Sequence, residues 1–220
     1  MARPIHADAE ATRKRILHAA SGLFSEKGAA STSMREIAKH AEVSMATVHH
    51  YYGGKAELYL ACVEAMYGEM RTLREELRGA FETTSDLDQI IDIGVRRGCR
   101  FARRHRPAVQ LMTRIVLDTG GLEAAKREEF LLPFLDQGAA LLSPLFPRSA
   151  RHLRLTLLSI NYLITRFTLN SERETALVVG LAEESTDEAQ LAVEDYLIAA
   201  TRDLLGMPHR KSKNDEGEGD

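Results

Sequence analysis

The chain has 220 residues, a formal net charge of −3 and 44% hydrophobic residues. This size suffices for one small and one larger domain, and the slightly acidic balance excludes a protein that binds nucleic acid through basic charge along its whole length. No apolar run reaches the roughly 18 residues that a membrane helix needs, and no charged segment followed by an apolar run opens the chain. We therefore expect a cytoplasmic protein that does not contact a membrane.

The first predicted helix begins at Thr12 and ends near Gly28, and its apolar residues recur at helical spacing. Three cations stand near its predicted start: Arg13, Lys14 and Arg15. Cations oppose the dipole at a helix N-terminus by a few tenths of a kcal/mol, a cost that a phosphate partner would remove. A solvated face explains the three cations equally well, and both interpretations stay open.

A short helix is predicted next, because Ser33 and Glu36 have the spacing of a capping box. In such a box the Ser hydroxyl accepts from the backbone N–H of the Glu, and the Glu side chain returns to the N–H of the Ser. The helix should begin at Met34, and Ala38 is small enough for another helix to cross it closely.

A second short helix follows across a tight turn, with Ser44 as its cap. Val48 and Tyr51 lie three residues apart and should point inward, which leaves the other residues of the helix on its outer side. The outer residues are Met45, Ala46, Thr47, His49 and His50. Two helices in this arrangement place the second one in a major groove of DNA. We expect these five residues to contact bases and Ser33, Ser44 and Lys55 to contact phosphates.

This stretch resembles the amino-terminal domain of the TetR family of transcriptional regulators. The matching elements are Phe24-x-x-x-Gly28, Ser33-x-Arg35-x-Ile37-Ala38, Val43-Ser44-x-x-Thr47-Val48-His49-x-Tyr51-Tyr52 and Lys55-x-x-Leu58. The resemblance covers residues 9–60 and adds Arg35 and Tyr51 to the candidate DNA contacts. Glu42 and Ala46 stand where the family commonly has Gly, and His49 stands where it usually has Tyr. A left-handed Glu42 would cost about 1 kcal/mol.

The resemblance implies an all-α fold of about nine helices, a homodimer, and a second domain that binds a small molecule. The expected division is a DNA-binding domain at residues 1–54, a ligand-binding and dimerisation domain at 55–206, and a disordered charged tail at 207–220. The partners implied are double-stranded DNA with an inverted-repeat operator and a small-molecule effector.

The remainder of the chain shows helical periodicity. Predicted helices begin at Lys55 and then span residues 87–101, 109–117, 122–142, 151–169 and 188–205, with a polar loop between the last two. The helix from Lys55 runs directly out of the DNA-binding unit and could transmit a signal to it. Pro133 should kink or split the helix that contains it. The arginines at 96, 97, 100, 103, 104 and 106 are interpreted as a solvated or ion-paired face.

A ligand cavity is expected between the helices at 87–101, 109–117 and 122–142. Its candidate lining combines aromatic side chains with a few polar groups that could orient a small molecule. The lining residues are Phe101, Gln110, Arg114, Phe130, Phe134, Gln137, Asn161 and Tyr162. The same residues could simply fill a core. Dimerisation is expected through the helices at 151–169 and 188–205, because the first of these is too apolar to face water on any side.

Nothing in the sequence predicts catalysis, a cofactor or a metal site. His49 and His50 are adjacent on a helix and point about 100° apart, so they cannot chelate one ion together. Cys62 and Cys99 have no metal-ligand spacing and are predicted as small core residues.

Two functions remain open at this point. One is a ligand-responsive DNA-binding regulator, in particular a repressor that a small molecule releases from its operator. The other is a helical partner- or ligand-binding protein whose helix-turn-helix is only structural.

Overall fold

The computed structural model describes residues 5–207, and side chains from residue 9 onward. All regular structure in this range is helical, which confirms the predicted all-α class. The helices are α1 (Ile5–Ser31), α2 (Met34–His40), α3 (Met45–Tyr52), α4 (Lys55–Phe81), α5 (Leu87–Arg104), α6 (Arg106–Thr119), α7 (Ala124–Lys126), α8 (Leu132–Leu142), α9 (Ala150–Leu169), α10 (Glu172–Val178) and α11 (Thr186–Leu205). A π-helical turn at Arg127–Leu131 joins α7 to α8.

The structure differs from the sequence prediction at the start of α1 and after residue 170. The first helix begins at Ile5 instead of Thr12, because Ala9, Glu10 and Ala11 are strong helix formers. The three cations at 13–15 therefore lie well inside α1, and the predicted dipole cost does not apply. The predicted loop after residue 170 contains α10, which Ser171 caps by accepting from the Glu174 N–H at 3.1 Å.

Pro133 divides its helix as predicted. It occupies the first turn of α8, directly after the wide π turn. Proline has no N–H to donate to the preceding turn, so a continuous α-helix cannot pass through this position without losing a hydrogen bond. The π turn accommodates the interruption.

The described residues form two compact units, with residues 5–75 and 103–130 in the first and 76–102 and 131–207 in the second. The first unit extends beyond the predicted DNA-binding domain at residues 1–54, since it includes most of α4 and all of α6. The reason is that α6 packs along α1. Leu111 is buried in their shared core, and Arg114 donates to the Glu26 carbonyl at 3.4 Å.

The core of the first unit is made by α1 to α4 and α6. Its fully buried large side chains include Ile16, Phe24, Ile37, Val48, Leu58 and Leu111. Cys62 lies in this core, as predicted, and burial raises the pKa of its thiol to about 11. The thiol therefore stays protonated and unreactive near neutral pH.

The second unit has its own core of α5, α8, α9 and α11. It contains Ile91, Val95, Cys99, Ala139, Leu142, Leu153, Ile160, Val193 and Leu197. Arg96 fastens α5 to α11 through Glu194 at 3.1 Å and Asp195 at 2.7 Å. This confirms an ion-paired role for that arginine, whereas Arg100 is exposed. No helix in residues 5–207 is both long enough and apolar enough to cross a membrane. The predicted tail at 208–220 lies outside the described residues.

Candidate nucleic-acid interface

Helix α2 begins where its cap predicts. The Ser33 hydroxyl accepts from the Glu36 N–H at 3.1 Å. The other half of the predicted capping box is wrong, because the Glu36 carboxylate accepts from Lys27 instead of returning to Ser33. The hydrogen bond from Lys27 lowers the pKa of Glu36. Lys27 therefore connects α1 to α2 at their exposed edge.

The turn between α2 and α3 passes through a left-handed residue. Glu42 has φ 54°, and it is the only residue other than glycine with positive φ among the described residues. The Val43 N–H donates to the Ala38 carbonyl at 3.0 Å, and Val43 packs against the core. Glu42 thus adopts the conformation that glycine adopts without strain.

Helix α3 is held by one cap and one buried anchor. The Ser44 hydroxyl accepts from the Thr47 N–H at 3.0 Å, and Val48 is fully buried. Tyr51 is half-buried on the inward side of the helix. The centres of the Tyr51 and His50 rings lie 5.2 Å apart, in an edge-to-face arrangement. The inward and outward faces predicted for this helix are therefore the faces that the fold produces.

The outer side of α3 is open to solvent. Met45, Ala46, His49 and His50 are exposed, and Thr47 is half-buried because its hydroxyl lies 2.8 Å from the Ser44 hydroxyl. Apart from the unbranched Met45, the side chains here are short or carry an imidazole, and they can fit between the walls of a major groove about 12 Å wide. Ser33 and Arg35 are exposed on the neighbouring α2 end.

Lys55 is placed at the start of α4 but is not entirely free for a phosphate. Its ammonium group donates to the Thr32 carbonyl at 3.1 Å and to the Ala30 carbonyl at 3.4 Å. An ammonium group has three donors, so one remains for a further acceptor. The lysine therefore binds the last turn of α1 and the residue after it, and it can still present charge outward.

A contact between α1 and α3 was missed by the sequence analysis. The Tyr52 hydroxyl donates to the Arg13 carbonyl at 3.0 Å, and the Arg13 guanidinium lies 5.6 Å from the centre of the Tyr52 ring. The available signal was the spacing of Arg13 from Ile16 and Ala20, which puts the arginine on the apolar stripe of α1.

Three of the eight predicted ligand residues make contacts inside the first unit. Gln110 lies 3.2 Å from the Ser25 hydroxyl, and Arg114 packs over Gly28. Phe130 stacks on Tyr67 with ring centres 4.4 Å apart. These side chains therefore stabilise the unit that carries α3.

The other five predicted ligand residues belong to the second unit. Phe101, Phe134 and Asn161 are half-buried, whereas Gln137 is exposed and Tyr162 has an exposed fraction of 61%. The expected inward direction of Tyr162 is wrong, because Ile160 already occupies the buried stripe of α9 and a residue two positions later points about 200° away.

The second unit contains a groove of about 770 Å³ between α5 and α11. Its lining mixes acidic side chains, Arg96 and Arg202 with the apolar Ile93 and Ile198, and includes none of the eight predicted ligand residues.

An aromatic and charged cluster surrounds Phe130, and the sequence analysis did not find it. The ammonium group of Lys126 lies 4.9 Å from the centre of the Tyr67 ring and pairs with Glu64 at 2.8 Å. Arg71 lies 5.2 Å from the Phe130 ring centre. The contacts of this cluster hold α4 against the π turn. Its members lie too far apart in sequence for a motif to reveal them.

Comparison with known proteins places the helix-turn-helix in a family. The family model "Bacterial regulatory proteins, tetR family" matches residues 16–62, within the first unit. The HTH-type transcriptional regulator BetI of Rhizobium meliloti is 37% identical over 59 residues, which cover 27% of this chain and 29% of that regulator. The HTH-type transcriptional regulator AcrR of Shigella flexneri is 35% identical over 81 residues, which cover 37% of this chain and 38% of that one. The matched segments thus span less than two fifths of either relative.

The fold is shared more widely than the sequence. The crystal structure of PfmR, a TetR family transcriptional regulator from Thermus thermophilus, matches with a TM-score of 0.62 and covers 90% of this chain and 98% of that one. Its sequence is 20% identical, so this likeness shows the fold alone. The family model and the sequence relatives agree that the helix-turn-helix segment of this chain is similar to the TetR family of bacterial regulatory proteins.

Proposed function

We propose that the protein is a DNA-binding transcriptional regulator, in particular a repressor that a small molecule releases from its operator. The observation that carries this proposal is the open outer side of α3, set on a rigid core by Val48 and capped by Ser44. A helix pair that served only packing would not need a row of exposed groups able to contact bases and phosphates. The relatives named as transcriptional regulators support the same conclusion.

The proposed contacts fall into two classes. Met45, Ala46, Thr47, His49 and His50 contact base edges, whereas Ser33, Arg35, Ser44 and Lys55 contact the backbone. Tyr51 packs against the core on the inward side of α3 and falls in neither class. Base contacts determine which sequence is preferred, and phosphate contacts add affinity on every sequence. The Ser33 and Ser44 hydroxyls both accept from backbone N–H groups. Ser33 can still donate to a phosphate oxygen, and Ser44 can do so when Thr47 is the donor of the hydrogen bond between their hydroxyls.

Selection of bound fragments from genomic DNA tests the proposal directly. We expect enrichment of an inverted repeat and an affinity that falls steeply as salt rises, because each neutralised phosphate releases a counterion. Absence of enrichment together with weak, sequence-independent binding would favour the alternative, a helical partner-binding protein with a structural helix-turn-helix.

We propose that a second copy of the chain covers the outer faces of α9 and α11. Four large side chains on these helices are mostly in solvent in the single chain: Leu155, Tyr162, Leu191 and Tyr196 have exposed fractions of 58%, 61%, 55% and 59%. Burying one such side chain contributes about 1.5 to 3 kcal/mol. A two-fold dimer would present two copies of α3 and so require inverted half-sites. Sedimentation at micromolar concentration should give a dimer, and a monomer would contradict this arrangement.

We propose that effector binding in the second unit lowers DNA affinity. The effector must bind the DNA-incompetent arrangement more tightly, with a coupling of about 1 to 3 kcal/mol being typical. Phe134 and Asn161 are the predicted ligand residues best suited to a test, since both are half-buried in that unit. Phe134→Trp or Asn161→Trp should leave operator binding unchanged and abolish release by the effector. Normal release by both variants would rule out this location.

A further inference from the structure

Arg13 occupies a position that core packing alone does not explain. It precedes Ile16 by three residues and Ala20 by seven, so it lies on the stripe of α1 that forms the core. Ile16 and Ala20 are fully buried, whereas Arg13 is exposed. The core therefore ends between Arg13 and Ile16, and the guanidinium stands at its edge.

Tyr52, the last residue of α3, holds Arg13 at this edge. The Tyr52 hydroxyl donates to the Arg13 carbonyl at 3.0 Å, and the guanidinium carbon lies 5.6 Å from the centre of the same ring. An arginine can lay its stem on an aromatic face and keep its charged head in water. Tyr52 thus holds both the backbone and the side chain of Arg13 beside α3.

The neighbouring cations are placed differently. Lys14 points about 100° away from Arg13 around α1 and lies 3.7 Å from the Glu10 carboxylate. Arg15 points a further 100° away. Of these three cations, Arg13 is the one in contact with α3.

We infer that Arg13 is a DNA phosphate contact and that Tyr52 is the residue that positions it. When α3 lies in a major groove, the sugar-phosphate backbone forms the walls on either side of the helix. A guanidinium held against the last residue of α3 stands beside such a wall, and its planar fork suits phosphate oxygens. This inference rests on the proposed DNA-binding function and adds α1 to the interface.

The salt dependence of operator binding tests Arg13. The slope of log affinity against log salt concentration should fall in magnitude by about 0.9 for each protomer carrying Arg13→Gln, and affinity should weaken alike on operator and unrelated DNA. Arg100→Gln is the matched control, since it removes one exposed cation from the second unit. It should keep the wild-type slope.

The same measurement distinguishes a failure of the proposed DNA-binding function from a failure of the inference about Arg13. If wild-type protein shows no salt-dependent DNA binding, the proposed function itself is wrong. If wild-type protein binds and Arg13→Gln keeps the wild-type slope while its melting temperature falls, Arg13 only closes the edge of the core, and the inference is overturned.

A double-mutant cycle tests Tyr52. Tyr52→Phe retains the ring and removes the hydroxyl, and we expect operator affinity to fall about two- to fivefold. Arg13→Gln should then have a smaller effect in the Tyr52→Phe background than in wild-type protein, because its position is already lost. Strictly additive effects would show that the Tyr52 hydroxyl does not act through Arg13.

Discussion

The outer side of α3 and the outer faces of α9 and α11 are both in solvent in the single chain, but their side chains differ in kind. Helix α3 presents a methyl group, a hydroxyl and two imidazoles along with Met45. Helices α9 and α11 present large apolar bodies, including Leu155, Tyr162 and Tyr196. The first surface is stable in water and offers hydrogen bonds, whereas the second gains free energy when it is covered. Exposure alone therefore does not identify a partner; the chemistry of the exposed atoms does.

The largest expected effect is the loss of dimerisation when charges are placed on the apolar faces of α9 and α11. Tyr162→Glu combined with Tyr196→Glu puts four carboxylates into the proposed dimer interface and should weaken dimerisation by at least about 4 kcal/mol, roughly a thousandfold. Sedimentation equilibrium measures this change. Leu117→Glu is the control, because Leu117 is 79% exposed in the first unit and should leave the dimer intact. A double variant that stays dimeric would place the interface elsewhere.

A smaller effect is expected on the polar surface of α3. His50→Ala should change the preferred base at one position of each half-site, with about 1 to 3 kcal/mol of discrimination lost. Lys55→Ala should weaken all sequences alike and lower the salt slope. Binding to arrays of single-base operator variants separates the two outcomes. If neither substitution changes affinity or preference, α3 is not the DNA-reading surface.

The helices that carry the two surfaces each begin with a serine cap, so the effects of removing these caps can be compared. Ser44 accepts from the Thr47 N–H at 3.0 Å, and Ser149 accepts from the His152 N–H at 3.2 Å at the start of α9. Either serine replaced by alanine should lower the free energy of unfolding by about 1 kcal/mol. Only Ser44→Ala should also weaken operator binding, measured at protein concentrations where both variants are folded and dimeric. Equal affinities would mean that Ser44 is a cap and nothing more.

The smallest expected effect is on the turn that supports α3. Glu42→Gly removes the strain of the left-handed backbone at φ 54°, which stabilises the folded state by up to about 1 kcal/mol. Glycine also makes the unfolded chain more flexible, which offsets part of this gain. Thermal unfolding should show a small rise in melting temperature, with base preference unchanged. A clear fall would show that the Glu42 side chain stabilises the turn by a contact of its own.

Local patterns determined a large part of the fold. Ser33 and Ser44 start α2 and α3 because a hydroxyl at the cap satisfies an N–H that the helix leaves unpaired, and this requires only neighbours in sequence. The buried stripes of α1 and α3 follow from helical spacing in the same way. The helix-turn-helix, its outer surface and the resemblance to the TetR family were therefore readable without coordinates.

Contacts between distant residues were decided by the tertiary structure. Glu36 accepts a hydrogen bond from Lys27 and not from its predicted capping partner, and Tyr52 donates one to the Arg13 carbonyl. Both contacts form because α1 packs against α2 and α3. The first unit extends past residue 54 for the same reason, since α6 returns to α1 from far along the chain.

The eight predicted ligand residues illustrate the same limit. Periodicity identifies a helix face as apolar, but it does not say whether that face meets the unit's own core, a cavity or another molecule. Tyr162 shares α9 with the buried Ile160 and yet is 61% exposed. The sequence by itself determined the helices, their caps and the outer face of α3, because these depend on interactions within a few residues. Which faces pair, and where the two units divide, depends on contacts between distant segments, so only the tertiary structure decided them.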